Sequence, residues 1–221
     1  MATYLITGAN RGIGYEYCRQ LQQRGETVVA VCRTPSQPLE DLGVRIEAGV
    51  DLTSEAAVNS LVERLDSLPL DVLINNAAIL ETISLDQLDL ESVRRQFEVN
   101  AIAPLRLTRA LLANLHPGAK VILMTSRMGS IADNSSGGSY GYRMSKVALC
   151  MAGKSLAIDL QPRGIAVAIL HPGLVSTRMT GFHRQGISAA EAVANLLQRI
   201  EALTLASTGS FWHANGELLP W

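Results

Sequence analysis

Short apolar runs of strand length alternate with longer amphipathic stretches from one end of the chain to the other. Tyr4–Thr7, Thr27–Cys32, Val44–Gly49, Val72–Asn75, Lys120–Thr125 and Ile165–Leu170 predict strands, with a shorter one near Gly209–His213. Between them, Ile13–Arg24, Ser54–Leu65, Leu90–Leu115, Tyr140–Leu160 and Ala189–Leu203 carry helical periodicity. Gly25 stands where a helix C′ residue belongs, and Ser188 with Glu191 forms a capping box. Most strand candidates are continuously apolar, as expected when helices cover both faces of a sheet. A parallel return needs a crossover helix, so the repeated β–α units predict one α/β domain over residues 1–221. Its core is a doubly wound parallel sheet of about seven strands with helices on both faces.

Composition narrows the function classes. The 221 residues are 48% hydrophobic and 18% charged, which excludes disorder and collagen-like repeats. A formal net charge of −1 leaves no basic footprint for nucleic acid and no polybasic membrane patch. No apolar run approaches the ~20 residues a bilayer needs. The amino terminus enters a strand-like run without a basic segment or cleavage site, so a cytoplasmic location is expected. Cys18, Cys32 and Cys150 are too scattered for a disulfide framework or a zinc site and are expected as reduced thiols, with no metal. The long loops are Thr34–Pro38, Ala77–Asp89, Ser126–Ser139 and Pro172–Ile187; three of them follow strand carboxyl ends, where open α/β sheets bind ligands.

The first strand runs directly into Gly8-Ala9-Asn10-Arg11-Gly12-Ile13-Gly14 and then a helix. Free backbone N–H groups and the helix dipole make such a junction an anion site. Gly8 permits the turn, Gly12 admits a pyrophosphate to the backbone, and Gly14 allows close helix–sheet packing. The spacing is G-x3-G-x-G, which on its own also suits a structural turn. The second strand ends at Val31-Cys32-Arg33, with no acidic residue to bind a ribose 2′-hydroxyl. Arg33 and Arg11 are suited to a 2′-phosphate, so NADP(H) is expected over NAD(H).

Tyr142 and Lys146 lie at i and i+4, on one face of a predicted helix. Ser126 follows the strand Lys120–Thr125, and Asn100 lies in the helical stretch before that strand. Hydride delivery to a carbonyl develops an alkoxide, which needs a positioned proton donor and a hydrogen-bond donor at the oxygen. A free tyrosine titrates near ~10, and a neighbouring cation would favour its phenolate. Singly, each residue has an ordinary structural explanation: a tyrosine stem over a snorkelling lysine, a turn serine, a satisfied helix asparagine. Their order and spacing together point to catalysis. Tyr140 lacks a lysine at i+4, and His171 before Pro172 is expected to end a strand rather than act as a base.

Taken together, the glycine loop with Thr7, Asn75-Asn76-Ala77-Ala78, Asn100, Ser126, Tyr142 with Lys146, and Pro172-Gly173-Leu174-Val175-Ser176-Thr177 resemble the short-chain dehydrogenase/reductase family. The resemblance spans essentially the whole sequence, and Gly141–Lys146 is further similar to C-factor/Sniffer-like carbonyl reductases. It implies a Rossmann-type fold in which Tyr142 is general acid/base, Lys146 binds ribose and lowers the tyrosine pKa, Ser126 orients the carbonyl, and Asn100 supports a water-linked proton relay. It also implies that Gly8, Asn10, Arg11, Gly12 and Ile13 hold the pyrophosphate side and that Asp51 contacts adenine. Asn76 and Ala77 would line the cofactor, and Pro172, Gly173, Val175 and Thr177 its nicotinamide. Where the family usually has glycine, this sequence has Ala78, whose methyl matters only if the backbone there has positive φ or is tightly packed.

The expected activity is NADP(H)-dependent interconversion of a small carbonyl compound and its alcohol. The alternative is a cofactor-binding signalling or regulatory protein of the C-factor type, with incidental or no turnover. Leu174–Ile187, with Met179, Phe182 and His183, is expected to form a lid hinged at Gly181 and Gly186. Leu218-Leu219-Pro220-Trp221 is too apolar to lie free and is expected to pack on the core or a second subunit. The resemblance implies a homodimer or homotetramer.

Overall fold

A computed structural model describes residues 1–221. Seven parallel strands, β1 (Thr3–Thr7), β2 (Thr27–Val31), β3 (Arg45–Glu47), β4 (Leu70–Asn75), β5 (Leu115–Met124), β6 (Ala166–His171) and β7 (Ser210–His213), form one sheet in the order β3-β2-β1-β4-β5-β6-β7. The order reverses between β1 and β4, which creates a crevice at their carboxyl ends. The helices are α1 (Gly12–Gln23), α2 (Gln37–Glu40), α3 (Glu55–Leu65), α4 (Leu90–Phe97), α5 (Ala103–Ala110), α6 (Tyr140–Leu160) and α7 (Ala189–Ala202).

The period-2 alternation of each strand divides the core in two. Leu5, Val29, Leu73, Val121, Leu123 and Val167 face one way and pack with Leu61 of α3, Leu107 of α5 and Leu149 of α6. Ile6, Ala30, Ile74, Ile122, Ala168 and Leu170 face the other way and pack with Tyr17 and Leu21 of α1 and Leu196 of α7. Both faces are thus covered, which is why the middles of these strands are apolar on both sides. Thr7, Asn75 and Met124 end the central strands along one edge, above which the catalytic candidates gather.

The expected helix Leu90–Leu115 is not continuous. α4 ends at Phe97, a π-helical turn occupies Glu98–Ile102, α5 stops at Ala110, and Leu115 already belongs to β5. Pro104 explains the break: it has no N–H to give the Asn100 carbonyl four residues earlier, so α-helical bonding cannot run through. α2, entered through Pro38, lies in what the sequence presents as a loop. No helix is long and apolar enough to cross a membrane.

Candidate active site

The glycine loop is shaped by close contacts. Gly8 has φ +66°, and a Cβ there would lie 2.9 Å from Ala77 Cα, so the loop of β1 sits directly on the strand end of β4. At Gly14 a Cβ would come within 2.2 Å of Gly8 O, which leaves no room for a side chain. Gly12 has φ +56°, and the nearest atom to its missing Cβ is Cγ2 of Thr177 at 3.6 Å. The segment after β6 therefore closes over the loop that opens α1. Arg11 precedes α1 with extended backbone and gives it no side-chain cap, so the first N–H groups of the helix are left without a capping side chain.

Thr7 organises this junction, although its role is not legible from a glycine motif. Its Oγ1 accepts the N–H groups of Asn76 and Ala77, both at 3.0 Å, and Asn76 Nδ2 donates to Thr7 O at 2.9 Å. Asn76 and Ala77 are thereby fixed beside the glycine loop. Ala78 does not have positive φ, so its methyl brings no backbone strain. Ser36 Oγ donates to Asn10 O at 2.8 Å and ties the loop to the segment beyond β2.

Arg11 and Arg33 are exposed and neither has a carboxylate partner within salt-bridge distance, so both guanidinium groups are free to meet an anion. Asp51 Oδ1 accepts from Thr53 N at 3.0 Å and Thr53 Oγ1 at 2.7 Å. Those bonds, with the charge of Arg33, hold its carboxyl below the ordinary range.

Across the crevice stand the candidate catalytic residues. Tyr142 and Lys146, one turn apart on α6, are both buried. Lys146 Nζ lies 5.6 Å from the centroid of the Tyr142 ring and donates to Met124 O at 2.9 Å. Burial lowers its pKa to about 8. Burial also pushes the Tyr142 phenol up to about 12, and the Ser126 hydroxyl opposes that rise. Loss of water around the phenolate is the larger influence on this phenol, while the Lys146 ammonium one turn away is hydrogen-bonded to Met124 O. Ser126 itself lies just beyond β5 and caps the short 3₁₀ turn Arg127–Gly129 by accepting the Met128 N–H.

Asn100 is fully buried in the π-helical turn. Its Oδ1 accepts the Ile79 N–H at 2.8 Å, and Nδ2 donates to Ile79 O at 2.9 Å and Ser145 Oγ at 3.0 Å. The amide ties the loop after β4 to the residue before Lys146.

Pro172 and Gly173 follow β6, and Gly173 has φ +86°. Val175 is buried and bridges to Ile187, while Ser176 N–H donates to Ile187 O at 2.9 Å. These bonds close the neck of the 176–186 loop. Gly181, with φ +60° and open space around it, is free at the tip. Gly186 is not a hinge, since a Cβ there would lie 2.7 Å from Ser176 N. The tail packs on the core: Leu219 is buried and Trp221 stacks on Phe211 with centroids 5.6 Å apart. His171 ends β6 beside His213, and burial lowers its pKa to about 3, which removes it as a base. The three cysteines are buried and unpaired, and burial raises each thiol.

A glycine loop suited to an anion at the switch point of a parallel sheet, with a half-buried Ser126 beside buried Tyr142 and Lys146, defines a dinucleotide-dependent oxidoreductase fold. Residues 2–188 match the family model for short chain dehydrogenases. The protein belongs to that family. It is 40% identical, over the full length of both proteins, to 1-hydroxy-2-glutathionyl-2-methyl-3-butene dehydrogenase of Rhodococcus sp. strain AD45. Over 69% of its own length and 93% of the relative, it is 43% identical to the C-signal protein of Myxococcus xanthus. Among solved structures, the carbonyl reductase Sniffer of D. melanogaster superposes with a TM-score of 0.93 at 31% identity, covering 100% of both proteins. The NADPH-bound carbonyl reductase from chicken fatty liver superposes with a TM-score of 0.91 at 30% identity, covering 100% of this protein and 99% of that one.

Proposed function

We propose that the protein is an NADP(H)-dependent carbonyl reductase that interconverts a small carbonyl compound and its alcohol. The observation that carries this conclusion is the buried Tyr142 phenol, set between Ser126 and Lys146 at the edge of the crevice that the glycine loop opens. The cradle fits a dinucleotide: Gly12 leaves the backbone at the start of α1 open where a pyrophosphate would approach, Gly8 and Gly14 let the loop pack tightly against Ala77 and itself, and Arg11 with Arg33 supply unpaired cations for a 2′-phosphate. When bound, the nicotinamide supplies or accepts a hydride at the substrate carbon.

The protein's own residues manage the oxygen. In reduction, Ser126 donates a hydrogen bond to the carbonyl, and the Tyr142 phenol gives its proton to the alkoxide as the C–H bond forms. A phenol pushed up to about 12 is fully protonated at neutral pH, which is the form reduction requires. Lys146 would hold the cofactor ribose and, 5.6 Å from the Tyr142 ring, stabilise the phenolate left behind. Asn100 has both Nδ2 hydrogens engaged, so any relay through this residue uses its backbone carbonyl, whose α-helical donor is missing at Pro104. Asn10 and Ile13 would complete the phosphate loop, Asp51 would meet adenine, and Asn76, Ala77, Pro172, Gly173, Val175 and Thr177 would border the nicotinamide half.

The protein is also proposed to be a homodimer or homotetramer. Met144, Met151 and Ile158 recur every seven residues on the exposed face of α6, and Leu105 of α5 is also exposed. Such a stripe suits a second copy of the same helices. Light scattering on wild type and Met151→Glu tests this, with a monomeric wild type overturning it.

The activity is tested by NADPH oxidation with aldehydes, ketones, quinones and a glutathione thioether carrying an alcohol or aldehyde. Turnover lost in Tyr142→Phe with cofactor binding retained is the expected result. Equal background oxidation in both proteins would reject the enzyme and favour signalling without turnover, to which the C-signal likeness lends support.

A further inference from the structure

We propose that Glu217, acting through Arg127, is a positioning residue that holds Ser126 in register with Tyr142. The proposal rests on the catalytic roles given above to Ser126 and Tyr142. The segment that bears Ser126 has no regular structure beyond the short turn Arg127–Gly129, so its placement depends on what grips it from either side.

One side is α6. A Cβ on Gly129 would lie 3.0 Å from both the carbonyl carbon and the carbonyl oxygen of Lys146, so the turn rides directly on the helical turn that carries the catalytic pair. The other side is the segment after β7. It reverses at Gly216, with φ +96°, and returns antiparallel along β7. His213 N–H donates to Glu217 O at 2.8 Å, and Leu219 N–H donates to Phe211 O at 2.8 Å. Asn215 Oδ1 accepts the Glu217 N–H at 2.9 Å, which fixes the residue at the mouth of the turn.

This hairpin reaches the serine segment at two points. Glu217 Oε2 accepts from Arg127 Nη2 at 2.7 Å, and Trp221 O accepts the Ala132 N–H at 3.0 Å. Arg127 Nε also lies 3.5 Å from Asp133 Oδ2 within the segment itself. Arg127 is the next residue after Ser126, so a shift of the guanidinium anchor moves the serine backbone with it.

Magnitude separates a positioning role from a stabilising one. Arg127 and Glu217 are 44% and 51% exposed, and an ion pair that wet contributes little to folding. Its consequence is geometric: misplacing a catalytic hydroxyl by a fraction of an ångström is costly to rate even when the fold is intact. Ser126 is the polar group that bears on the Tyr142 phenol, so the loss falls on proton transfer rather than on cofactor binding.

The test compares Glu217→Ala, Glu217→Gln, Arg127→Ala and the double Ala variant, with NADPH and the best acceptor of the panel. Glu217→Ala is expected to lower kcat about tenfold. Its NADPH dissociation constant, read by cofactor fluorescence, and its melting temperature are expected to stay at wild-type values. Glu217→Gln keeps an acceptor oxygen and should recover part of kcat. The double variant should be no slower than Arg127→Ala alone, because both substitutions break one link. If Glu217→Ala retains wild-type kcat while Tyr142→Phe is inactive, the positioning role is wrong and the catalytic assignment stands. If no Tyr142-dependent turnover exists in wild type, both are wrong.

Discussion

Lys146 Nζ donates to the backbone oxygen of Met124 at 2.9 Å, so the buried ammonium of α6 is anchored to the strand that leads into Ser126. Burial lowers this lysine from 10.5 to about 8, so the folded state binds its proton less tightly than the unfolded state does. The cost is fully present below pH 8, and stability recovers as pH rises from 8 toward 10.5. Lys146→Met should therefore be more stable than wild type at pH 7, by roughly 2 kcal/mol after allowing for the lost hydrogen bond. The advantage should shrink toward pH 10. Urea unfolding at both pH values checks it, and a variant less stable at pH 7 would contradict the account.

Ser126 is the polar group that opposes the burial of Tyr142. Its removal raises the phenol further, so less phenolate is available for alcohol oxidation at any pH below the pKa. Ser126→Ala should move the alkaline limb of the oxidation pH profile to higher pH. It should also lower kcat by about 100-fold through the lost donor at the substrate oxygen. An unchanged limb would mean that some other group controls the phenol.

Much of this arrangement is legible in the sequence because strand and helix periods differ and because glycines stand where backbone must approach backbone. Gly8 and Gly14 can be assigned from the sequence, since their neighbours exclude a Cβ. Thr7 is less visible: its two accepted N–H bonds come from Asn76 and Ala77, some seventy positions away, and no local spacing announces them. Pro104 is a local signal, and it marks the helix break that a purely hydrophobic pattern smooths over. Gly186 reads as a flexible joint in sequence but is a packing requirement in the fold, because Ser176 lies against it. The direction of the Tyr142 pKa depends on burial against charge, and burial is a tertiary quantity.

Asn100 makes three side-chain hydrogen bonds, two to Ile79 and one to Ser145. Asn100→Ala leaves the Ile79 N–H and C=O without partners and opens the link to α6. Each such buried group costs about 1–3 kcal/mol when unpaired. The variant should unfold at clearly lower urea, with a loss of roughly 2–4 kcal/mol. Activity should fall as well, because Ser145 adjoins Lys146. A variant of wild-type stability would show that water replaces the amide without cost.

Arg33 stands at the end of β2 with its guanidinium exposed and unpaired, and its charge reaches Asp51 across the adenine side of the crevice. A 2′-phosphate placed there would receive charge-assisted hydrogen bonds, whereas a ribose hydroxyl would gain far less from a cation. Arg33→Asp reverses both preferences: the carboxylate accepts from ribose hydroxyls and repels the phosphate. Losing one charge-assisted contact amounts to about 1.5–3 kcal/mol, or roughly 10–100-fold in kcat/KM for NADPH. The kcat/KM for NADH should rise or hold, so the ratio of the two cofactors is the quantity to measure. Arg11 remains in the variant and should preserve a residue of NADPH activity, which Arg11→Ala in the same background should remove. A wild type that turns over faster with NADH, or a ratio that Arg33→Asp leaves untouched, would place the discriminating contact elsewhere in the crevice.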